Sequence, residues 1–496
     1  MIEHLPILVV VVPLAAAAVV PLVGLRSTRA ARGVMLAALA AAAALAVAAL
    51  RQALAEGALH YQLGGWPPPW GIEYVVDPLA GGMAVLVAVF GLIVAVYTGP
   101  FLVGMPPLGA GGFCAVYLLL VTGLLGIVVT GDLFNLYVFL EISSLSAYAL
   151  LALGGKRSLV ASFRYLVLGT IAGSFYLLGI GYLYAITGTL NMADAAARLP
   201  AVTASPAFTV AVALVVIGLT IKLALFPLHG WLPDAYTYAP TPVTGFIAAV
   251  MTKVSAYALL RIFFFVLPGG GVADDALRLL GWAAAAAALA GSAMALAQTD
   301  VRRMLAYSSV GQIGYIVLGI SIGTPLALTG ALLHVLNHAV TKACLFLSAG
   351  GILFRTRVAD VANYRGIARR LPISMAAFTV AAASIVGLPP TAGFFSKWYL
   401  LAAVLERGAW PFALALVGSS LLSAVYLFRV VERSYLGDAP EAAVASEASE
   451  GAPLELPLGM LVPIVLLAAG VLLLGVLSHA VVSQVIAFAL PVDGGR

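Results

Sequence analysis

Charge is what this 496-residue chain has least of. Asp, Glu, Lys and Arg together make up 9% of it, against 63% hydrophobic residues. A soluble domain carries about 25% charged residues, so a soluble globular class is excluded and the sequence reads as a polytopic membrane protein. Cysteine is nearly missing as well. Cys114 and Cys344 lie far apart in apolar segments, which excludes a disulfide framework and a cysteine metal site of regular spacing. A basic n-region is also lacking. The chain opens Met1-Ile2-Glu3-His4, and its first arginines, Arg26, Arg29 and Arg32, follow the first apolar stretch. A cleaved signal peptide has the opposite charge order, so a retained first helix with its N-terminus outside is expected. The formal net charge of +5 is spread over short loops, which excludes a nucleic-acid footprint. Nothing in the sequence binds flavin, haem or an iron–sulfur cluster, so no cofactor and no resident metal are expected.

Lysine is the scarcest cation. Of five lysines, only Lys156 sits in a loop, while Lys222, Lys253, Lys342 and Lys397 sit inside apolar segments. The twenty arginines fall mostly at segment ends. A lysine at hydrocarbon depth costs about 3 kcal/mol or more unless it faces protein or water. Four of them point to a use for groups that gain and lose a proton.

A bilayer-spanning helix needs about 20 apolar residues. An all-α polytopic fold of about fourteen such helices is expected, near 5–25, 31–50, 79–99, 111–130, 132–153, 159–185, 206–228, 242–266, 278–297, 304–323, 327–353, 372–405, 411–434 and 458–488. Barrel strands, which are short and alternate polar with apolar residues, do not fit these runs. Arginine and lysine collect on cytoplasmic connections. With the N-terminus outside, the odd-to-even connections hold Arg26/Arg29/Arg32, Lys156/Arg157, Arg302/Arg303 and Arg355/Arg357/Arg365/Arg369/Arg370, while the others hold mostly single arginines (Arg51, Arg198, Arg278, Arg407); the connection after helix 3 carries neither lysine nor arginine. That alternation supports the count. Both termini are then expected outside the inner (plasma) membrane. An acidic stretch, 435–457 with Asp438, Glu441, Glu447, Glu450 and Glu455, reads as a solvated cytoplasmic loop.

The seventh and twelfth segments are punctured. Lys222 runs into Phe226-Pro227 and Trp231-Leu232-Pro233-Asp234, and Pro389-Pro390 precedes Lys397. Proline frees backbone carbonyls that need partners at membrane depth. Broken helices at matching positions of two halves point to an inverted-repeat transporter. The expected division is an N-terminal part at 1–110 (helices 1–3), a first repeat at 111–266 (helices 4–8) and a second at 278–434 (helices 9–13). The acidic loop and a last part at 458–496, containing helix 14, follow.

Glu141, mid-helix in the fifth segment, would be neutral if isolated. A neighbouring ammonium reverses that, and Lys222 is the natural partner; the pair would hold Lys222 protonated, and separating the two would release its proton. The plainer reading is a static buried ion pair, though such pairs are weak sources of stability. His334, His338 and Lys342 recur at i, i+4 and i+8, a polar stripe about 12 Å long on one helix face. Histidine changes charge near neutral pH, so this stripe suits a proton relay; either histidine alone reads equally as a structural hydrogen-bonding group. Lys253, among small residues, can bridge Lys222 to that stripe, or snorkel to the interface. His229 and Asp234 flank the break in the seventh helix, as an inlet or as caps of the turn. Asp132 stands about 13 Å from Glu141 by helical rise, too far to pair, and fits the N-terminal end of its helix.

These segments closely resemble the antiporter-like subunits shared by Mrp-type multisubunit cation/proton antiporters, respiratory complex I and membrane-bound hydrogenases. The resemblance rests on Gly131-Asp132-Leu133-Phe134-Asn135 through Glu141, Lys222 through Asp234-Ala235, Ala239-Pro240-Thr241-Pro242-Val243 with Lys253, and Thr299 through Ser309. It continues in Asn337-His338-Ala339 with Lys342 and Ala392-Gly393-Phe394-Phe395-Ser396-Lys397. It covers about residues 70–435. It implies fourteen helices with discontinuous helices 7 and 12. It also implies a hydrophilic axis of Glu141, Lys222, Lys253, His338 and Lys397. The wording around Glu141 and Lys397 looks most like the D-type subunits of Mrp antiporters, and the Ala-Pro-Thr-Pro-Val stretch also looks like the smaller complex I subunits. The first expectation is therefore a proton-translocating D-type Mrp subunit, coupled to sodium or another monovalent cation within a complex of integral membrane subunits. The alternative is a non-redox pump subunit of complex I or a membrane-bound hydrogenase. A lone transporter is the third reading.

Overall fold

The computed structural model describes residues 2–436 and 455–490. Most of the acidic connection, with Asp438, Glu441, Glu447 and Glu450, lies outside the described residues, as do residues 491–496.

Among the described residues, thirteen helices are long and apolar enough to cross a membrane. They are α1 (Leu5–Gly24), α2 (Thr28–Glu56), α3 (Pro78–Tyr97), α4 (Pro107–Val129), α5 (Leu133–Ala152), α6 (Lys156–Thr187), α7 (Pro206–Leu223), α8 (Thr241–Val266), α9 (Gly271–Leu296), α10 (Val301–Ile322), α11 (Pro325–Thr356), α13 (Trp410–Leu436) and α14 (Leu458–Val476). The remaining span, α12, comes in two halves, Pro372–Val386 and Ala392–Glu406. Polar residues start several of these helices by accepting orphan N–H groups. Ser27 caps α2, Asp77 caps α3, Asp132 caps α5, Asp300 caps α10 and Thr324 caps α11. Small residues bring neighbours together: a Cβ on Gly291 of α9 would stand 2.4 Å from the Gly311 nitrogen of α10.

Burial is uneven. The most apolar window of α8 and of α11 is 89% buried, against 33% for α1. Lys253 and Lys342 stand on those two central helices at 0% exposure, so neither snorkels to the interface.

Both expected breaks are present, and the two halves mirror each other in backbone detail. Before α5, Leu133 N–H donates to Leu190 and Met192 N–H to Gly131; before α10, Val301 N–H donates to Ala359 and Val361 N–H to Thr299. Asp132 bridges Asn191 in the first case and Asp300 bridges Asp360 in the second. Each helix is thus pinned at its start by the connection two spans later. The two junctions lie on opposite faces of the bundle, because five spans separate α5 from α10. That is an inverted repeat.

The structure moves several boundaries. α7 stops at Leu223, before Pro227, because Ala224 takes a left-handed conformation (φ 59°). α9 starts at Gly271 and not near 278. The segment Gly64-Gly65-Trp66-Pro67 after α2 lies at the tip of a hairpin, β1 (Leu59–Gln62) with β2 (Glu73–Val76). Loop-like composition hid the hairpin, whose strands are four residues each.

Candidate functional site

Where α7 ends, its last carbonyls lose their helical partners. The indole of Trp231 donates to Ile221 at 2.8 Å and so closes one of them. Lys222 occupies this last turn. Its ammonium reaches Glu141 of α5 at 3.1 Å and Ser144 Oγ at 2.7 Å. Gly173 of α6 makes room for the carboxylate, since a Cβ there would come within 2.5 Å of Glu141 Oε1. The Lys222 side chain is 3% exposed and that of Glu141 24%. The carboxylate therefore stands at the edge of the chain, beside the exposed apolar residues Phe134, Val138 and Leu145.

Lys253 follows a π-helical turn, Ile247–Met251, and its ammonium donates to the Ala248 carbonyl inside that turn. Such widened turns are frequent at functional positions. Lys253 lies within electrostatic reach of His334, His338 and Lys342. On α11 the His334 and His338 rings stack with centroids 6.1 Å apart, and Tyr315 stacks on His334 at 5.3 Å. His334 Nδ1 pairs with Ser396 Oγ at 3.0 Å. Lys342 donates to the Leu305 carbonyl at 3.0 Å and to Ser308 Oγ at 2.8 Å, and Tyr426 donates to the same hydroxyl at 2.7 Å.

The row ends at the second break. Gly393 lets the halves of α12 touch, for a Cβ there would stand 1.8 Å from the Ser384 carbonyl. Lys397 binds the carbonyls freed at the end of the first half, Ile385 at 2.6 Å and Val386 at 3.2 Å, and Ser420 Oγ at 2.9 Å. Its ammonium also lies 4.9 Å from the centre of the Tyr315 ring. A cavity of about 210 Å³, lined by Lys397, Ser420, Tyr315 and Trp398 among others, opens beside it.

Several atoms along this row have no protein partner among the described residues: both ring nitrogens of His338, His334 Nε2, the Gln312 amide and Asn337 Nδ2. Buried polar groups of this kind hold water. Water between fixed donors and acceptors is what a proton needs to cross a gap too long for one hydrogen bond.

Glu141, Lys222, Lys253, His334, His338, Lys342 and Lys397 are thus all buried or half-buried on neighbouring helices. The other candidates stand apart. Asp234 is clamped by Arg164 of α6 at 2.8 Å and Arg303 of α10 at 3.0 Å. His229 stacks on Phe226 at 5.3 Å. Asp132 caps α5; burial raises its carboxyl pKa more than the N–H groups of Asn135 and Phe134 lower it. Sequence reasoning missed the hydroxyls Ser144, Ser308, Ser396, Ser420, Tyr315 and Tyr426, which are too common in membrane helices to stand out. It also missed the pair Asp77–Arg261, 2.6 Å apart and 184 residues apart in sequence.

Comparison with known proteins agrees with this architecture. The model of the family "NADH:quinone oxidoreductase/Mrp antiporter, TM" matches residues 130–423. NADH-quinone oxidoreductase subunit N of Desulforudis audaxviator is 56% identical over 497 residues, 99% of each chain. The D-type subunit of the Na(+)/H(+) antiporter of Bacillus subtilis is 30% identical over 395 residues, 79% of each chain. A chain of an archaeal membrane-bound sulfane sulfur reductase superposes with TM-score 0.89 at 30% identity, covering 99% of this chain and 98% of that one. The chain is an antiporter-like membrane subunit, and it belongs to the NADH:quinone oxidoreductase/Mrp antiporter transmembrane family.

Proposed function

We propose that this chain translocates protons along the buried row from Glu141 to Lys397, as one subunit of a multisubunit membrane complex. The observation that carries the reading is the row itself: seven ionisable side chains buried or half-buried among helices, at a depth where each is costly unless used. Protonating Glu141 removes the charge that holds Lys222 as an ammonium. Lys222 then passes its proton toward Lys253, the histidines, Lys342 and Lys397. The broken helices α7 and α12, one in each proposed repeat unit (111–266 and 278–434), are where water would reach the row. Partner subunits would cover the two ends, since Glu141 and the cavity beside Lys397 both lie at apolar outer faces. The complex would sit in the plasma membrane with the N-terminus of this chain outside.

The full-length similarity to an N-type subunit favours a redox-driven complex in which partners carry the electron chemistry. Exchange of sodium or another cation for protons, as a D-type Mrp subunit, is the second reading, favoured by the antiporter relative and by the wording around Glu141 and Lys397. One experiment separates them. The complex is purified through a tag on this chain, its subunits are identified by mass, and ΔpH is followed in everted vesicles given NADH or given sodium. A redox complex yields cofactor-bearing subunits and an NADH-driven ΔpH; an antiporter yields neither, and its ΔpH answers sodium. Full ΔpH with Lys222→Ala in either mode would sink the proton reading.

A further inference from the structure

A second basic feature lies far from the proton row, at the end of the bundle opposite the N-terminus. A cavity of about 710 Å³ opens between the first turns of α2 and α14 and the short helix Gly99–Val103. Arg29 and Arg32 line it, with Leu36, Val103 and Pro457. Among the described residues, no carboxylate lines it and neither arginine makes an ion pair. Arg32 spends one nitrogen, Nη2, on the Val96 carbonyl at 3.0 Å, while its buried Nε has no acceptor. Arg29 is exposed. Val103 on the rim is 84% exposed.

We propose that this cavity binds the headgroup of an anionic phospholipid. Two guanidinium groups without a carboxylate suit a phosphodiester, which accepts paired N–H donors. Their place at the ends of spans suits the headgroup level of a leaflet, where basic pockets between helices collect acidic lipids. The apolar rim of Leu36 and Val103 continues into the span, along the path an acyl chain takes. Water-soluble anions would find no use for that rim. The site owes nothing to the proton reading and stands or falls separately.

The test uses the full-length chain in detergent, titrated with phosphatidylglycerol, phosphatidylcholine or inorganic phosphate while thermal unfolding is followed. Phosphatidylglycerol should raise Tm, and the other two should not. Arg29→Gln should need about tenfold more phosphatidylglycerol for the same rise, the loss of one charge-assisted hydrogen bond. Arg29 carries the test because Arg32 also ties α2 to α3 and its loss could unfold the chain. Native mass spectra give a second readout: Arg29→Gln should retain one fewer phosphatidylglycerol. Equal responses of wild type and variant overturn the site, as does an equal response to phosphatidylcholine. A response to inorganic phosphate alone makes it a free-anion site. If Arg29→Gln leaves lipid binding unchanged and instead lowers the retention of a partner subunit in the complex purified through a tag on this chain, the occupant is an acidic protein segment and the lipid assignment is wrong.

Discussion

The two halves of the row solve the same problem in different ways. In the first, Lys222 answers a carboxylate, Glu141, so the pair is electrically neutral. In the second, among the described residues, Lys342 and Lys397 hydrogen-bond carbonyls and hydroxyls, and Lys253 one carbonyl. Two unit charges 4 Å apart interact by about 4 kcal/mol at an effective dielectric constant of 20. Among the described residues, Lys253, His334, His338, Lys342 and Lys397 have no carboxylate as an ion-pair partner, so positive charges on neighbouring members of this cluster would repel one another. On the proposed route, the first half would store a charge and the second half would pass one along. Each lysine at a helix break binds or neighbours carbonyls that the break set free, so the same feature that weakens the helix creates the cradle.

Substitutions can break this contrast. The largest effect is expected at the ion pair: Glu141→Gln or Lys222→Ala should bring ΔpH in everted vesicles to background with the complex still assembled. If Glu141→Gln alone leaves ΔpH unchanged, the first half is no charge store. Ser308→Ala should act on the second half more mildly. Lys342 keeps its carbonyl and loses one hydroxyl, a change of about 1 kcal/mol or roughly fivefold in rate. A loss as deep as that at Lys222 would show that the hydroxyl is an obligatory carrier.

Two further predictions concern scaffolding and should spare proton transfer. Asp77 holds Arg261 across α3 and α8. Burial alone would raise the Asp77 carboxyl pKa, but the Arg261 charge and hydrogen bonds outweigh it, and the pKa falls below the ordinary 3.8. A carboxyl depressed by folding stabilises at pH values above its unfolded pKa, and that stability drains away as pH falls through the folded one. Asp77→Asn should cost about 3 kcal/mol at neutral pH, since it strands the arginine, and should flatten the loss of Tm below about pH 4. An unchanged acid profile would remove Asp77 from this role. Asp234→Asn, between Arg164 and Arg303, should cost about 1 kcal/mol or less, read as a small drop in Tm with normal ΔpH. A large drop in ΔpH there would restore Asp234 as an inlet.

Much of this is legible in the sequence, because a membrane makes charge expensive. That cost singles out Lys222 and Glu141, and the structure brings them to 3.1 Å. The breaks near Pro227 and Pro389 are legible from proline chemistry, but the stop of α7 is not: Ala224 carries no sign of its left-handed conformation. The hydroxyls beside the lysines are illegible, since serine and tyrosine cost little in a helix and only the fold shows which face a lysine. Asp77–Arg261 is illegible for another reason, as no local spacing links residues so far apart. Asp234 reads in the sequence as an inlet or a cap of the turn, and only the fold shows that it stands between arginines of two different helices. The subfamily is not legible either: the wording of short segments favours a D-type subunit, whereas full-length similarity runs higher to an N-type one.

The proposed proton route depends most on Lys253, which alone among the lysines faces the histidines from the first half of the chain. The deciding measurement is ΔpH in everted vesicles whose complex carries Lys253→Met, at matched levels of this chain. A row that works as a relay predicts no ΔpH, with the Glu141–Lys222 pair intact and the downstream lysines unchanged. Wild-type ΔpH from that variant would mean that protons cross this protein by some other route.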